Sequence, residues 1–362
     1  LVNEYLQDFD PIQLNSLPGL QPEFSKPERR IIPYDSGEET ENSKAYLTVN
    51  WLLPEGTNPE LVLSLGILEH VLLGTPASPL RKVLIESGLG EDVVGRGLSD
   101  ETRQMAFSTG MRGIETKNLD YVESLILTAL EKIAEEGIDP KTIEASINTI
   151  EFSLRENNTG PYPRGLIVML RSLSAWLYDR DPIPALAFQK PLDEIKSKLS
   201  DDSFRFENLI REYLIKNQHR VTVILTPDST IGAQRLEKEK NLLKQAQTNF
   251  SQEHLEQIML DTLELKKRQE TPDSPEALAT IPMLGKEDLD PKIKALPIQI
   301  MRNEPATILF HDLFTSEILY VDLGFSLLPL SPKQLPYMRL FSRALLEMGT
   351  QKETFVELIQ HI

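Results

Sequence analysis

The sequence predicts an α+β protein, an antiparallel sheet packed against helices. Three observations carry this. Residues 44–53 alternate at period two, with Ala45, Leu47, Val49, Trp51 and Leu53 on one face. Two further strand-like runs, 92–98 and 104–111, precede a long run of helical patterns instead of alternating with helices. The order of strands then helices returns after residue 298, so a second, truncated α+β unit is expected at 272–362.

Residues 1–43 are polar and proline-rich (Pro18, Pro22, Pro27, Pro33) and read as an extended linker lying along a surface, with one short helix at 4–9. The strand at 44–53 turns at Pro54-Glu55-Gly56. Asn58 then caps a helix that has Pro59 at its first position. That helix, 59–73, is apolar on nearly all sides, which predicts burial. Gly74-Thr75-Pro76 breaks it, and a second helix covers 78–87. After the strands at 92–98 and 104–111, Thr116 is expected to cap a helix with the stripe Leu119, Val122, Ile126, Leu130 and Ile133. Asp139-Pro140 opens the next, carrying Ile143, Ile147, Ile150 and Leu154. Helices at 164–178, 191–199 and 203–216 lead to a strand at 219–226, which completes an α+β domain at 44–230. Residues 231–271 hold one glycine and no proline between highly charged faces, and predict a helical hairpin connector with Ser251 as the internal cap. Proline-rich loop follows, then strands at 298–302, 306–311 and 318–325 and helices from 332 onward.

The 362 residues are 40% hydrophobic and 26% charged, enough to bury a full core. No apolar run approaches the ~18 residues of a membrane span, so no membrane partner is expected. With no cysteine, thiol nucleophiles, thiolate zinc sites and iron–sulfur clusters are excluded. The net charge of −17 and the lack of a basic stripe argue against nucleic acid and leave a basic peptide compatible. Leu1 at one end and a helical pattern running into Ile362 at the other read as cuts from a longer polypeptide.

Of five histidines, only His70 has a suggestive setting, in Gly66-Ile67-Leu68-Glu69-His70. An inverted zinc motif, His-x-x-Glu-His, needs histidine at 66, because positions i and i+4 share a helix face and two imidazoles there grip one metal. Gly66 has no donor atom. One imidazole does not hold zinc, and Glu69 then has no metal-bound water to deprotonate. No catalytic, cofactor or metal site is therefore expected in this chain, and Glu151 and Glu156 with Arg155 read as solvated helix charges.

The run Leu65-Gly66-Ile67-Leu68-Glu69-His70-Val71-Leu72-Leu73-Gly74 resembles the active-site helix of the insulinase/pitrilysin-type zinc metalloproteases with its first histidine lost. Pro79 to Gly90 resembles the following helix of the presequence protease branch, and Asn217 to Val223 with Leu225-Thr226-Pro227-Asp228 resembles the strand closing that branch's second domain. The charged hairpin matches the connector between the halves of those enzymes. The resemblance implies four homologous α+β domains in two bowl-like halves around a chamber, with zinc in the first domain. This chain would then supply the end of a linker, the second domain, the hairpin and the start of a third domain. Glu151 falls near the third zinc ligand of active domains, here vestigial. Zinc is implied for the full-length enzyme and none for this chain. The implied partners are unfolded peptides, basic ones among them, and the remaining domains of the same polypeptide. Distant relatives further imply a peptide exosite at Leu73-Gly74-Thr75 and Val93-Val94-Gly95, where glycine leaves backbone approachable and an edge strand accepts an extended peptide. A non-enzymatic scaffold or binding subunit of the same fold is the alternative.

Overall fold

A computed structural model describes residues 4, 6–10, 12, 17–37, 44–201, 203–293, 295–303 and 306–361. Much of the short helix expected at 4–9 and the first half of the expected linker lie outside or at the edge of these residues. The chain divides into two compact units, one of residues 1–228 with 318–362 and one of residues 229–317.

The first unit is built on a five-stranded sheet of order β1-β5-β2-β4-β3. Its strands are β1 (Glu28–Asp35), β2 (Ala45–Glu55), β3 (Asp92–Ser99), β4 (Gln104–Ile114) and β5 (Arg220–Asp228). The pairings β2–β4, β2–β5 and β3–β4 are antiparallel, whereas β1 with β5 runs parallel from Glu28↔Val221 to Asp35↔Asp228. The period-two face of β2 is the centre of the core: Ala45, Leu47, Val49 and Trp51 are fully buried.

Helices cover that face. Asn58 caps α1 (Pro59–Glu69) by accepting from the Glu60 and Leu61 amides at 3.0 and 3.3 Å. The helix continues as a π turn, His70–Gly74, and α2 (Pro79–Glu86) follows. Leu65, Ile67, Leu68, Val71 and Leu72 are buried, as the all-round apolar pattern requires. Contrary to the expectation drawn from run lengths, the helical stretch Pro59–Glu86 does reach membrane-span hydropathy over an 18-residue window. Residues 75–78 interrupt it, and its apolar side chains lie in the core of this unit.

Then come α3 (Leu119–Glu136), α4 (Pro140–Glu156), α5 (Arg164–Trp176), α6 (Gln189–Ser200) and the short α7 (Phe206–Leu209), which runs into a π turn, Ile210–Ile215. Asp139 caps α4 by accepting from the Lys141 amide. Thr116 does not cap α3; it begins a 3₁₀ turn, Thr116–Asn118, that leads into the helix with no side-chain cap.

Residues 28–35, expected only as extended chain along a surface, form the edge strand β1. Pro33 is tolerated there because an edge strand has one side free of ladder bonds. Residues 17–27 do run along this unit: the Gln21 amide donates to Gln104 Oε1 at 2.8 Å, Arg103 donates to the Pro18 carbonyl at 2.7 Å, and Phe24 meets His219 edge-on at 4.5 Å. The last residues of the chain also belong to this unit. Tyr320 Oη donates to Glu156 at 3.3 Å, and Gln360 Nε2 donates to Asp139 and Thr142 at 2.8 and 2.9 Å.

The second unit holds α8 (Ile231–Asn249), α9 (Gln252–Glu270), the one-turn α10 (Pro275–Leu278) and the antiparallel pair β6 (Gln299–Asn303) and β7 (Ala306–Phe310). Ser251 caps α9, accepting from the His254 amide at 3.2 Å. No residue of α8 or α9 is buried, so the apolar stripes expected on them, including Leu242 and Ile258, stay exposed. In the first unit's closing segment, the expected strand 318–325 does not form; the helices there are α11 (Met338–Glu347) and α12 (Phe355–His361). A strand needs a partner ladder, and the described strands of this sheet offer it none.

Candidate functional site

The residues of the broken motif sit on α1 and its π turn, and they face different ways. Gly66 looks into open space: a Cβ there would meet nothing nearer than Leu98 Cδ2 at 4.0 Å. Glu69 reaches toward β3, where Gly97, at φ +63°, makes room for its carboxylate; a Cβ on Gly97 would lie 2.5 Å from Glu69 Oε1. The His70 ring lies over Gly74, whose missing Cβ would come 2.5 Å from His70 Cδ2. Ser78 Oγ donates to the His70 carbonyl at 3.2 Å and accepts from the Thr75 amide at 3.0 Å. This fixes the turn that ends the helix.

Burial sets the protonation of both groups. It raises the Glu69 pKa and lowers the His70 pKa, favouring the neutral form of each. His70 Nδ1 is buried and has no hydrogen-bond partner among the described residues. The position matching the third ligand is engaged elsewhere. Glu151 on α4 pairs with Arg155 at 2.8 Å and with Lys196 of α6. The hydrogen bond from Lys196 holds its carboxyl below the usual range; burial opposes this, and the bond from Arg155 adds to it. Among the described residues, no group of three or more His, Asp or Glu side chains is placed to share a metal.

These residues do not fit zinc. Position 66 lacks a donor, Glu69 and His70 are neighbours that leave the helix in different directions, and Glu151 is committed to two cations. Restoring the missing histidine should therefore fail to restore the metal. Gly66→His is expected to hold well below one zinc per chain after dialysis, measured by elemental analysis; stoichiometric zinc would overturn this account.

Of the residues expected to bind peptide, Leu73 and Val93 pack against the core, while Gly74 and Gly95 are exposed. Val93, Val94 and Gly95 lie on β3, an outer strand of the sheet whose strand partner among the described residues is β4. The ladder shifts between Val94 and Gly97, a bulge in which the Arg96 amide donates to Ser108 Oγ at 2.8 Å. Gly95 has φ +121°, and a Cβ there would fall 2.5 Å from the Ser108 carbonyl oxygen. Proline at 95 would wreck this bulge, so Val94 is the sounder place to probe the edge. Thr75 is engaged in the Ser78 turn.

A cavity of about 830 Å³, with no counterpart in the sequence reading, opens beside Gly66. Pro59, Val62, Leu63 and Gly66, spaced as one helix face, form its floor; Leu98 of β3 and Leu170 of α5 form walls. The i, i+3, i+4, i+7 spacing is visible in the sequence, but nothing there places α5 over it.

Comparison with known proteins gives two family matches. Peptidase M16 inactive domain covers residues 1–150, and the associated region of peptidase M16 subfamily C covers residues 225–362. Presequence protease 1, chloroplastic/mitochondrial, of Arabidopsis thaliana is 43% identical over 368 residues, covering 100% of this chain and 34% of the relative. Protein HypA of Clostridium perfringens is 33% identical, covering 98% of this chain and 36% of the relative. A solved protease structure from Helicobacter pylori aligns at 14% identity with a TM-score of 0.47, covering 62% of this chain and 50% of that one. The chain spans about a third of the length of the curated relatives named here.

Proposed function

The chain belongs to the insulinase-type M16 peptidase family, on its presequence protease branch, and from that premise we propose that it is a non-catalytic, peptide-holding part of a zinc peptidase that degrades unfolded peptides. The observation that carries this reading is the fate of the motif. The helix that resembles a zinc helix keeps its place over the sheet, yet has glycine at a ligand position and an ion-paired glutamate at another. What remains is a scaffold for binding. Zinc, if the parent enzyme carries it, is held by residues outside this set.

On this reading β3 is the exosite. Its outer edge offers main-chain donors and acceptors to an extended peptide, and Gly95 leaves the backbone approachable beside Val94. The unburied helices α8 and α9 act as the connector that lets the two halves of the enzyme open and close, and the sheet with its helices forms chamber wall. The test uses the 362-residue chain and a fluorescently labelled unfolded peptide. The chain should bind the peptide without cleaving it, with zinc added or not. Val94→Lys, which places a charge on the edge, should weaken binding by about fivefold or more in an anisotropy titration. Zinc-dependent cleavage by this chain would overturn the non-catalytic assignment, and binding unchanged in Val94→Lys would remove the edge as the exosite.

A further inference from the structure

We propose that the cavity beside Gly66 is a second peptide pocket, separate from the β3 edge, which takes an apolar side chain of an unfolded peptide inward while a neighbouring lysine or arginine meets Asp100 at the rim. This rests on the peptide-holding reading above.

The volume, about 830 Å³, lies within the ~300–1,000 Å³ of ordinary ligand sites and suits a short run of residues better than one side chain. Its floor and walls are aliphatic, from Val62, Leu63, Leu98, Ile167 and Leu170. Leaving such a surface wet costs free energy that an apolar side chain recovers.

The walls are tied in place. Arg180 donates to the Gly56 carbonyl and, at 2.9 Å, to the Ser174 carbonyl, joining the loop after α5 to the corner between β2 and α1. A pocket held this way loses little entropy when filled. Gly66 itself is the reason there is space: any side chain at that position would project toward Leu98 and into the cavity. The same glycine that supplies no zinc ligand thus opens a binding floor.

The rim selects the sign of the ligand. Asp100, Glu101 and Asp181 stand there with Arg171 and Arg180. Arg180 is committed to two carbonyls, and Glu101 is engaged by Ser99 and Arg96 at 2.6 and 3.4 Å. Asp100 keeps a raised pKa, through desolvation first and Glu101 second, even with Arg171 nearby. A carboxylate in that state gains from an incoming cation. The chain's net charge of −17 draws basic peptides in the same direction. Phosphorylated ligands are disfavoured by the same rim.

The experiment uses the 362-residue chain and two fluorescein-labelled peptides in a glycine–serine background, one carrying Leu-Leu-Arg and the other Leu-Leu-Gln. Gly66→Leu fills the floor and also removes a glycine from a helix interior, so its thermal midpoint should be equal to or above that of the parent chain. It is expected to weaken binding of the arginine peptide by about tenfold or more, the loss expected when a leucine side chain is denied an apolar pocket. Asp100→Asn should weaken the arginine peptide about three- to tenfold and leave the glutamine peptide unchanged. Binding that survives in a folded Gly66→Leu overturns the proposal. If that binding is lost in Val94→Lys instead, the edge reading stands while the pocket falls. If neither peptide binds the parent chain, both readings fall.

Discussion

Trp51→Ala is expected to unfold the first unit or leave it without fixed packing. Trp51 sits at the middle of β2, fully buried, with its ring 5.9 Å from that of Phe107. Its indole N–H donates to the Leu214 carbonyl at 2.7 Å, inside the π turn that follows α7. Truncation removes the largest side chain of the core, at about 3–5 kcal/mol, and orphans a buried acceptor, at about 1–3 kcal/mol more. Whole domains hold only ~5–15 kcal/mol, so the combined loss takes most of the margin. Near-UV circular dichroism and a urea titration read it. Trp51→Phe keeps most of the apolar volume and loses the hydrogen bond, and should fall between. A urea midpoint for Trp51→Ala within experimental error of the parent would refute this view of the core.

The second large effect is expected from a single methyl group. Gly110 lies on β4, opposite Thr48 of β2 and Val94 of β3. A Cβ at 110 would stand 1.9 Å from the Leu47 carbonyl oxygen and 2.7 Å from Thr48 Cα. Both are backbone atoms of the adjoining strand, so no side chain can swing away to relieve the overlap. Gly110→Ala should therefore cost about 3–5 kcal/mol, at the strong end of overpacking and strain. Because β4 is the strand that holds β3, hydrogen exchange should accelerate across 92–99 before it does across β5. Gly66→Ala is the internal comparison. Its Cβ meets open space, and it should be neutral or stabilising. Equal tolerance of alanine at 66 and 110 would show that the strand contacts are wrong.

Local chemistry explains which parts of this structure were legible from residues alone. Strict alternation located β2, and Asn58-Pro59, Asp139-Pro140 and Ser251 marked helix starts, because a cap is written within three or four residues. β1 was missed because Arg29-Arg30-Ile31-Ile32-Pro33 has no alternation; it is a strand by virtue of a partner far along the chain. The opposite error fell on 318–325, where an apolar run has strand character but no ladder to join. The π turns at 70–74 and 210–215 leave no pattern in residue type. At the site, the absent ligand at 66 was plain, since donor chemistry is a property of the residue. The engagement of Glu151 by Lys196, the bulge geometry of Gly95 and the roof over Gly66 all depend on chain segments far apart in sequence. None leaves a local trace.

The parallel pairing of β1 with β5 has a consequence for the order of assembly. β5 sits between β1 and β2, so β1 touches the rest of the sheet only through a strand that ends at Asp228. On a ribosome adding ~5–20 residues per second, β1 emerges on the order of ten to forty seconds before its partner exists. Meanwhile β2, β3 and β4 can join as a meander from near neighbours, leaving one flank of β2 bare. That bare flank and the waiting β1, with Ile31 and Ile32 exposed even in the finished fold, are the parts of the nascent chain open to wrong pairings. Arrival of β5 closes both at once, and the sheet is finished by the strand that leads directly into α8.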